Sequence, residues 1–239
     1  NSHFADSCCD APEFGGLNEQ GREVIREMNR LGMIINVAHG STETILQAVE
    51  ESEHPILYSH GGYRHFVDIH RNITDEAAKA IAAKGGVIGH QIGNSMNNPR
   101  DFARRLEQAR QRGDDSNIMG RPAMARRPAE PPPFESFEDL NLKMSDRYPS
   151  GARSIPPEIR MTVDEMVEVI DYAVRLVGED HVAIGADFDG GVPPPHGIHD
   201  ISDYPKLTEG LVRKGYSEER IRKIMGGNLL RLIREVTGG

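Results

Sequence analysis

The sequence predicts an α/β fold built from parallel strands that alternate with helices. Two observations lead to this prediction. Short apolar runs of strand length recur along the chain, and the segments between them carry apolar residues at helical spacing. Several of the short runs also end in His or Asp beside Gly, which is typical of parallel strands whose carboxyl ends carry functional groups. Strands and helices in alternation form right-handed βαβ units and hence a parallel sheet.

Helices are predicted where apolar residues recur every three or four positions and a stop signal follows. In the first helix Ile25 lies on the apolar face and Gly32 ends the pattern. Thr42 is suited to cap the second helix, and Gly85-Gly86 ends the third. The predicted helices cover residues 18–31, 41–52, 76–84, 101–112, 162–177, 204–214 and 217–236.

Four short apolar runs are predicted as strands, after an opening segment over residues 1–16 that has the composition of a loop. Each run is flanked by a helical pattern, so each is expected to pair in parallel with its neighbours. The predicted strands cover residues 33–37, 56–58, 87–89 and 181–184.

Residues 94–160 interrupt this alternation. Apart from the basic helix predicted at 101–112, the segment lacks periodicity, and it contains Pro131-Pro132-Pro133. A loop of this length inside a compact domain is a lid, an interface arm or a disordered segment. We therefore expect a single domain over residues 1–239 with an insert at about 94–160.

The composition limits the partners and the compartment. A net charge of −9 argues against nucleic acid or an anionic membrane as the main partner. No apolar run approaches the roughly 18 residues that a membrane span needs, so we expect a soluble protein of the bacterial cytoplasm or periplasm, or a secreted one. The only cysteines, Cys8 and Cys9, are adjacent and therefore unsuited to a structural disulfide, which leaves the redox compartment open.

Polar residues stand at the end of every predicted strand: His39, His60, His90 and Asp187. In a barrel of parallel strands these ends meet at one mouth, where imidazoles can bind zinc and a free carboxylate can transfer a proton. Each residue also has an ordinary structural interpretation. A single strand-end His is often a hydrogen-bonded structural residue, Asp187 can merely cap a turn, and Gln91 can replace His90 as the inward side chain.

Five stretches make the chain resemble the membrane (renal) dipeptidase family of zinc peptidases: GREVIREMNRLGMIINVAH, PILYSHGGYRH, HRNITDEAAKAIAAKGGVIG, GEDHVAIGADFDG and DISDYPKLTEGLVRKGYSEERIRKIMGGNLLRL. The resemblance covers nearly the whole chain except the insert. It implies a (β/α)8 TIM-barrel-like fold with two zinc ions in a complete site. The family hydrolyses dipeptides, and sometimes β-lactams, through a hydroxide that the metal ions hold.

The resemblance also assigns roles to residues of this chain. His39 and His60 match the two histidines that bind the second zinc, and Asp187 matches the carboxylate that moves the proton. Arg71 matches the arginine that pairs with the carboxylate of the dipeptide. Asn36 stands where the family usually has Asp, three residues before the first of these histidines. Two further matched residues, Asp189 and Asn228, are expected to be structural.

The resemblance aligns this chain with strands five to eight of the barrel, without the family's ligands for the first zinc. We therefore expect a zinc-dependent dipeptidase whose N-terminal half lies elsewhere, in cis or in trans, with a dipeptide as substrate and a homodimer as the default assembly. Two alternatives stay open. One is a catalytically inactive half-barrel that binds a partner or acts as a scaffold; the other is a hydrolase with one zinc that uses His39, His60 and His90.

Overall fold

The structure is a computed structural model, and it describes residues 1–112, 155–190 and 192–238. Within these residues three parallel strands form one sheet in the order β1-β2-β3. The strands are β1 (Leu57–Gly61), β2 (Val87–His90) and β3 (Val182–Ile184). The parallel sheet confirms the predicted α/β class.

The prediction of a full strand at residues 33–37 is wrong. This segment joins the sheet through a single parallel bridge between Asn36 and Leu57. The Leu57 amide donates to Ile35 O at 2.9 Å, and the Val37 amide donates to Leu57 O at 2.8 Å. Pairing stops there because the Asn36 side chain accepts the Ala38 amide at 3.1 Å, which bends the chain away from the sheet.

Helices precede and follow the strands as the sequence predicts. Most begin at a side-chain cap, and Ser41 rather than the predicted Thr42 caps the second helix by accepting the Thr44 amide. Thr162 and Glu165 form a complete capping box. The helices are α1 (Glu19–Arg30), α2 (Thr42–Glu51), α3 (Asp75–Ala83), α4 (Asn94–Asn97), α5 (Pro99–Arg112), α6 (Val163–Val177), α7 (Tyr204–Arg213), α8 (Glu218–Arg222) and α9 (Asn228–Thr237).

The continuous helix predicted over residues 217–236 is also wrong. A π-helical turn, Lys223–Gly227, separates α8 from α9. Gly226 has φ +157°, a conformation at the edge of the range that favours glycine, and it breaks the regular helix there. The Asn228 side chain then donates to the carbonyls of Glu179 and Val182, both at 2.7 Å, and fixes the start of α9 against β3.

Helices cover both sides of the sheet. Alternate residues of a strand face opposite sides. On one side Tyr58, Ile88 and Val182 belong to the main hydrophobic core, which also takes the buried faces of α1, α2, α3, α6 and α7. On the other side Val87 and Ala183 pack with α9. Both sides are therefore buried, and the carboxyl ends of the strands share one edge.

The described parts of the insert are tied to the rest of the chain. Helix α5 confirms the predicted basic helix, whereas residues 113–154, on which the expected lid or interface arm falls, lie outside the described residues. The Asn94 side chain donates to the carbonyls of Pro193 and Pro194 and accepts the Met161 amide. In the described part of the chain no helix is long and apolar enough to cross a membrane.

Candidate metal and substrate site

His39 lies on a tight turn directly after the bridged segment. Its φ is +67°, a left-handed conformation that few residues other than glycine adopt. The Gly40 amide donates to Val37 O at 3.1 Å across the turn, and the Cys8 amide donates to His39 O at 2.9 Å. These bonds hold the backbone in a strained state, which is a frequent property of functional sites.

His60 is placed by an irregularity in β1. The register pairs Tyr58 with Ile88 and Gly61 with His90, so β1 has one residue more than β2 between these pairs. Such a β-bulge re-aims side chains near the end of a strand. The bulge carries the Ser59 carbonyl close to β2 and β3, where a Cβ at Gly89 or Gly185 would lie 2.0 Å from Ser59 O. Only glycine fits at these two positions.

The two histidines meet. His39 Nε2 lies 3.0 Å from His60 Nε2. Two nitrogens bound to a tetrahedral zinc at 2.0–2.1 Å are roughly 3.3 Å apart, so a small rotation of either ring admits the ion. Burial, followed by the nearby Arg71 guanidinium, lowers the pKa of His60, and the neutral ring that results is the form that binds metal. The pair therefore fits two ligands of one zinc.

A chain of hydrogen bonds determines which ring nitrogen of His60 carries the proton. Asn36 Oδ1 accepts the Ala38 and Ser59 amides, which orients its Nδ2 to donate to Ser59 Oγ at 3.0 Å. Ser59 Oγ lies 2.9 Å from His60 Nδ1, and its hydroxyl hydrogen is free to donate there. His60 Nε2–H then donates to His39 Nε2. In the metal-free protein His60 thus carries its proton on the nitrogen that faces His39.

Asp187 completes the same edge of the sheet. It is the other non-glycine residue with a left-handed backbone, at φ +59°. Gln91 Nε2 donates to Asp187 Oδ2 at 2.9 Å, and the same oxygen lies 3.8 Å from His60 Nε2. A Cβ at Gly190 would lie 2.3 Å from Asp187 Oδ1, so a larger residue there would displace the Asp187 carboxylate. The side chain of Asp189 lies outside the described residues.

Arg71 reaches the histidines from a buried position. It is 5% exposed, and Nη1 donates to the Tyr58 hydroxyl at 3.0 Å. Nη2 contacts His60 O and His39 Nε2, both at 3.1 Å. Because a guanidinium only donates, His39 Nε2 is an acceptor and holds its lone pair toward the site. An ion held by that nitrogen would use the same lone pair, and Arg71 Nη2 would then lose this acceptor.

His90 does not join this group. It is fully buried, its Nε2 lies 3.3 Å from Met166 Sδ, and its Nδ1 has no hydrogen-bond partner. Burial lowers its pKa to about 3. The structure places His90 in the core and gives its neighbour Gln91 the contact to Asp187, which was the alternative interpretation of that strand end. His90 is therefore not the third histidine ligand that the strand pattern allowed.

Two cysteines that the sequence pattern did not connect with the strand ends lie beside His39. Cys8 Sγ and Cys9 Sγ are 3.0 Å apart beside His39. The hydrogen bonds of Cys9 with Cys8 and with His39 lower the pKa of Cys9, and the bond to Cys9 together with burial raises the pKa of Cys8. Their adjacency was a visible signal, but nothing local indicated that the opening loop returns to His39.

Comparison with known proteins identifies the family. A family model described as membrane dipeptidase (peptidase family M19) matches residues 1–238. The chain belongs to this family. Dipeptidase tcpJ of Claviceps purpurea (strain 20.1) is 27% identical over 237 residues, which are 99% of this chain and 42% of that protein. Dipeptidase 3 of Rattus norvegicus is 24% identical over 223 residues, 93% of this chain and 34% of that protein. The chain thus spans less than half the length of these two relatives.

Solved structures agree on the fold. The probable dipeptidase PvdM from Pseudomonas aeruginosa superposes with a TM-score of 0.78 at 30% identity, over all of this chain and 60% of that one. A metallopeptidase from Rhodobacter sphaeroides, crystallised with a phosphinate mimic of the dipeptide L-Ala-D-Ala, gives a TM-score of 0.65 at 22% identity. It covers 98% of this chain and 50% of that one and, at this identity, supports the fold alone.

Proposed function

We propose that this chain supplies one zinc site and the proton-transfer carboxylate of a zinc-dependent dipeptidase. The observation that carries the proposal is the meeting of His39 Nε2 with His60 Nε2 at 3.0 Å, beside Asp187 Oδ2 at 3.8 Å from His60. Three side chains far apart in sequence converge at one edge of a parallel sheet, where α/β enzymes place their chemistry. Family membership supports the same reaction class.

His39 and His60 would hold the ion, with their neutral rings as donors. When bound, zinc supplies Lewis-acid activation of water and of the scissile carbonyl. Asp187 would accept a proton from the attacking water through Oδ2 and pass it to the leaving amine. The Gln91 amide that donates to Oδ2 holds this carboxylate in place for both transfers.

Arg71 would bind the carboxylate of the dipeptide. Its guanidinium is buried and already fixed by the Tyr58 hydroxyl and the His60 carbonyl, so little side-chain entropy is lost when an anion binds. If His39 Nε2 held the ion, Arg71 Nη2 would lose that acceptor and would be a free donor beside the site. A substrate carboxylate placed there would accept hydrogen bonds from the guanidinium.

We further propose that the remaining ligands of a two-zinc barrel come from an N-terminal half, in cis or in trans. In the described part of the chain no strand pairs with the outer side of residues 35–37. Exposed apolar side chains, Phe4 at 43% and Val24 at 37%, line the same cavity as residues 35–37. An open edge flanked by apolar surface favours a covering segment. A homodimer that covers it is the alternative assembly.

The test measures zinc content and dipeptide hydrolysis together. We expect His60→Ala to lose one equivalent of zinc, and His70→Ala, which changes an exposed loop histidine, to keep it. Turnover of dipeptides is expected only when the N-terminal half is supplied. Unchanged zinc content in His60→Ala contradicts the metal site. Intact zinc without turnover in the completed protein supports the inactive scaffold instead.

A further inference from the structure

Two cysteine side chains that could hold a metal ion together with His39 lie beside it. The ligand atoms of Cys8, Cys9 and His39 all lie within 4.8 Å of one another, and no other group of three such side chains in the described ranges does so. Two sulfurs and one imidazole nitrogen form the donor set of a Cys2His zinc site with one open position. This set and the His39–His60 pair share only His39.

The backbone fixes the two cysteines against His39. The Cys8 amide donates to the His39 carbonyl at 2.9 Å, and Ser7 forms an antiparallel bridge with Gly40. Ser7 Oγ accepts the Cys9 amide at 3.1 Å. These contacts place both thiols next to the ring before any ion arrives, which reduces the entropy cost of assembling the site.

A buried carboxylate anchors the loop that carries the cysteines. Asp6 is 2% exposed and accepts the amides of Glu13, Phe14 and Gly16 at 2.8–3.1 Å. Its carbonyl accepts the Thr44 hydroxyl from α2. The loop is therefore attached to the body of the protein on both sides of the cysteine pair.

The exposure of the two thiols suits the entry of an ion. Cys8 is 7% exposed, whereas Cys9 is exposed to solvent. An ion can therefore approach from the Cys9 side and then also bind the buried Cys8 sulfur. Two thiolates on a tetrahedral zinc at about 2.3 Å lie roughly 3.8 Å apart. From 3.0 Å the sulfurs must separate by roughly 0.8 Å, which the exposed Cys9 side chain can provide by rotation.

We propose that Cys8, Cys9 and His39 form a site for a thiophilic divalent cation, and that this site shares His39 with the His39–His60 pair. Thiolate ligands favour zinc, cadmium and other soft ions over hard ones. Because His39 Nε2 faces His60, an ion that draws the His39 ring toward the cysteines competes with an ion held by the two histidines. A soft ion thus displaces zinc from the pair through the shared residue.

The test is a cadmium titration of metal-free protein kept reduced by a phosphine reductant. One equivalent of cadmium should produce the ultraviolet thiolate-to-cadmium charge-transfer band. The band should weaken in Cys9→Ser, an exposed substitution expected to leave the fold and the Cys8 thiolate intact, and should be lost in the Cys8→Ser/Cys9→Ser double variant. His39→Ala should weaken cadmium binding. Unchanged band and affinity in either cysteine variant, or unchanged affinity in His39→Ala, overturns the assignment.

His60→Ala separates this site from the proposed catalytic zinc. The variant should keep the cadmium band at full intensity, because His60 is not a member of the thiolate set, although it loses the zinc of the histidine pair. A band that disappears in His60→Ala contradicts a separate site. Zinc bound to the histidine pair should also be released by one equivalent of cadmium in the wild type, but not in Cys9→Ser.

Discussion

At the scale of single residues, the backbone aims the side chains of the proposed site. His39 and Asp187 are the two non-glycine residues with left-handed φ in the described chain, and both carry a group of the site. Such conformations cost on the order of 1–3 kcal/mol each and persist only where surrounding bonds impose them. Here the Gly40 and Gly190 amides close the two turns onto Val37 O and Asp187 O.

Asp187→Asn tests the proton transfer without disturbing the turn. Asn tolerates the left-handed conformation and keeps an oxygen for the Gln91 amide, so folding should not change. It cannot accept a proton, and we expect kcat for dipeptides to fall by about 10²–10⁴ with zinc content intact. Zinc lost together with activity would instead make Asp187 a ligand. The reference is Gln91→Ala, which frees the carboxylate and should lower kcat less.

Asn36→Asp tests the control of the His60 proton. In the wild type, Asn36 Nδ2 donates to Ser59 Oγ and leaves the serine hydroxyl to donate to His60 Nδ1. A carboxylate at this position would accept that hydroxyl, so that Ser59 Oγ accepts from His60 Nδ1–H and Nε2 holds a lone pair for metal. Zinc affinity should rise about 10-fold or more, as measured by chelator competition.

The control for this prediction removes the link. In a Ser59→Ala background Asn36→Asp should leave zinc affinity nearly unchanged, since the carboxylate no longer reaches the imidazole through the serine. An equal rise in both backgrounds would mean that the introduced carboxylate acts by its charge alone. Measurements at several salt concentrations distinguish these cases, because a through-space charge effect is screened.

Sequence alone could predict part of the proposed site. The strand-end pattern indicated His39, His60 and Asp187, because parallel strands bring their carboxyl ends together. It could not decide between His90 and Gln91, since the facing of residues at the end of β2 depends on pairing with the bulged β1. The contact between Cys8 and His39 spans 31 residues and depends on the path of a loop that has no periodic signal.

At the scale of secondary-structure elements, the bulge in β1 is the feature that presents His60. Most helix boundaries were predictable to within about two residues because caps are local, whereas the short helix α4, the segment 33–37 and the break in the final helix were not. Asn36 turns its side chain onto the backbone and ends the pairing, and Gly226 adopts φ +157° inside the last helical pattern. Both breaks depend on the side-chain or backbone conformation of a single residue, which a hydrophobic pattern does not predict.

Gly89→Ala tests the bulge. The added methyl would lie 2.0 Å from the Ser59 carbonyl oxygen, so the backbone of the bulge must move. We expect a loss of about 1–3 kcal/mol in the free energy of unfolding and weaker zinc binding, because Ser59 and His60 shift together.

Ile88→Val is the matched control for this variant. It reduces packing on the other side of β2, lowers the free energy of unfolding by about 0.5–1.5 kcal/mol, and should leave zinc affinity unchanged. Equal zinc affinity in both variants would contradict the role of the bulge.

At the scale of the whole molecule, the main core contains a histidine that burial keeps neutral at ordinary pH. His90 is fully buried between Met166 and the Tyr63 ring, whose centroid lies 6.0 Å away. Its Nδ1 has no hydrogen-bond partner, and no carboxylate is recorded in contact with it among the described residues. Burial alone therefore holds its pKa at about 3, far below the usual value for histidine.

The stability of the fold should depend on pH through His90. Its pKa is about 3 in the folded chain and about 6.5 when unfolded, so between these values the unfolded chain binds the extra proton and stability falls as pH falls. At pH 5 the loss relative to pH 8 is about 2 kcal/mol. His90→Leu should lack this component. Denaturant unfolding at pH 8, 6.5 and 5, with a chelator present to exclude metal effects, gives the free energy of unfolding of both proteins as a function of pH.

The control is His70→Gln, at an exposed position, which should keep the pH dependence of the wild type. Parallel pH dependences in wild type and His90→Leu would mean that His90 gains a proton in the folded state, and that water or a local opening reaches the core.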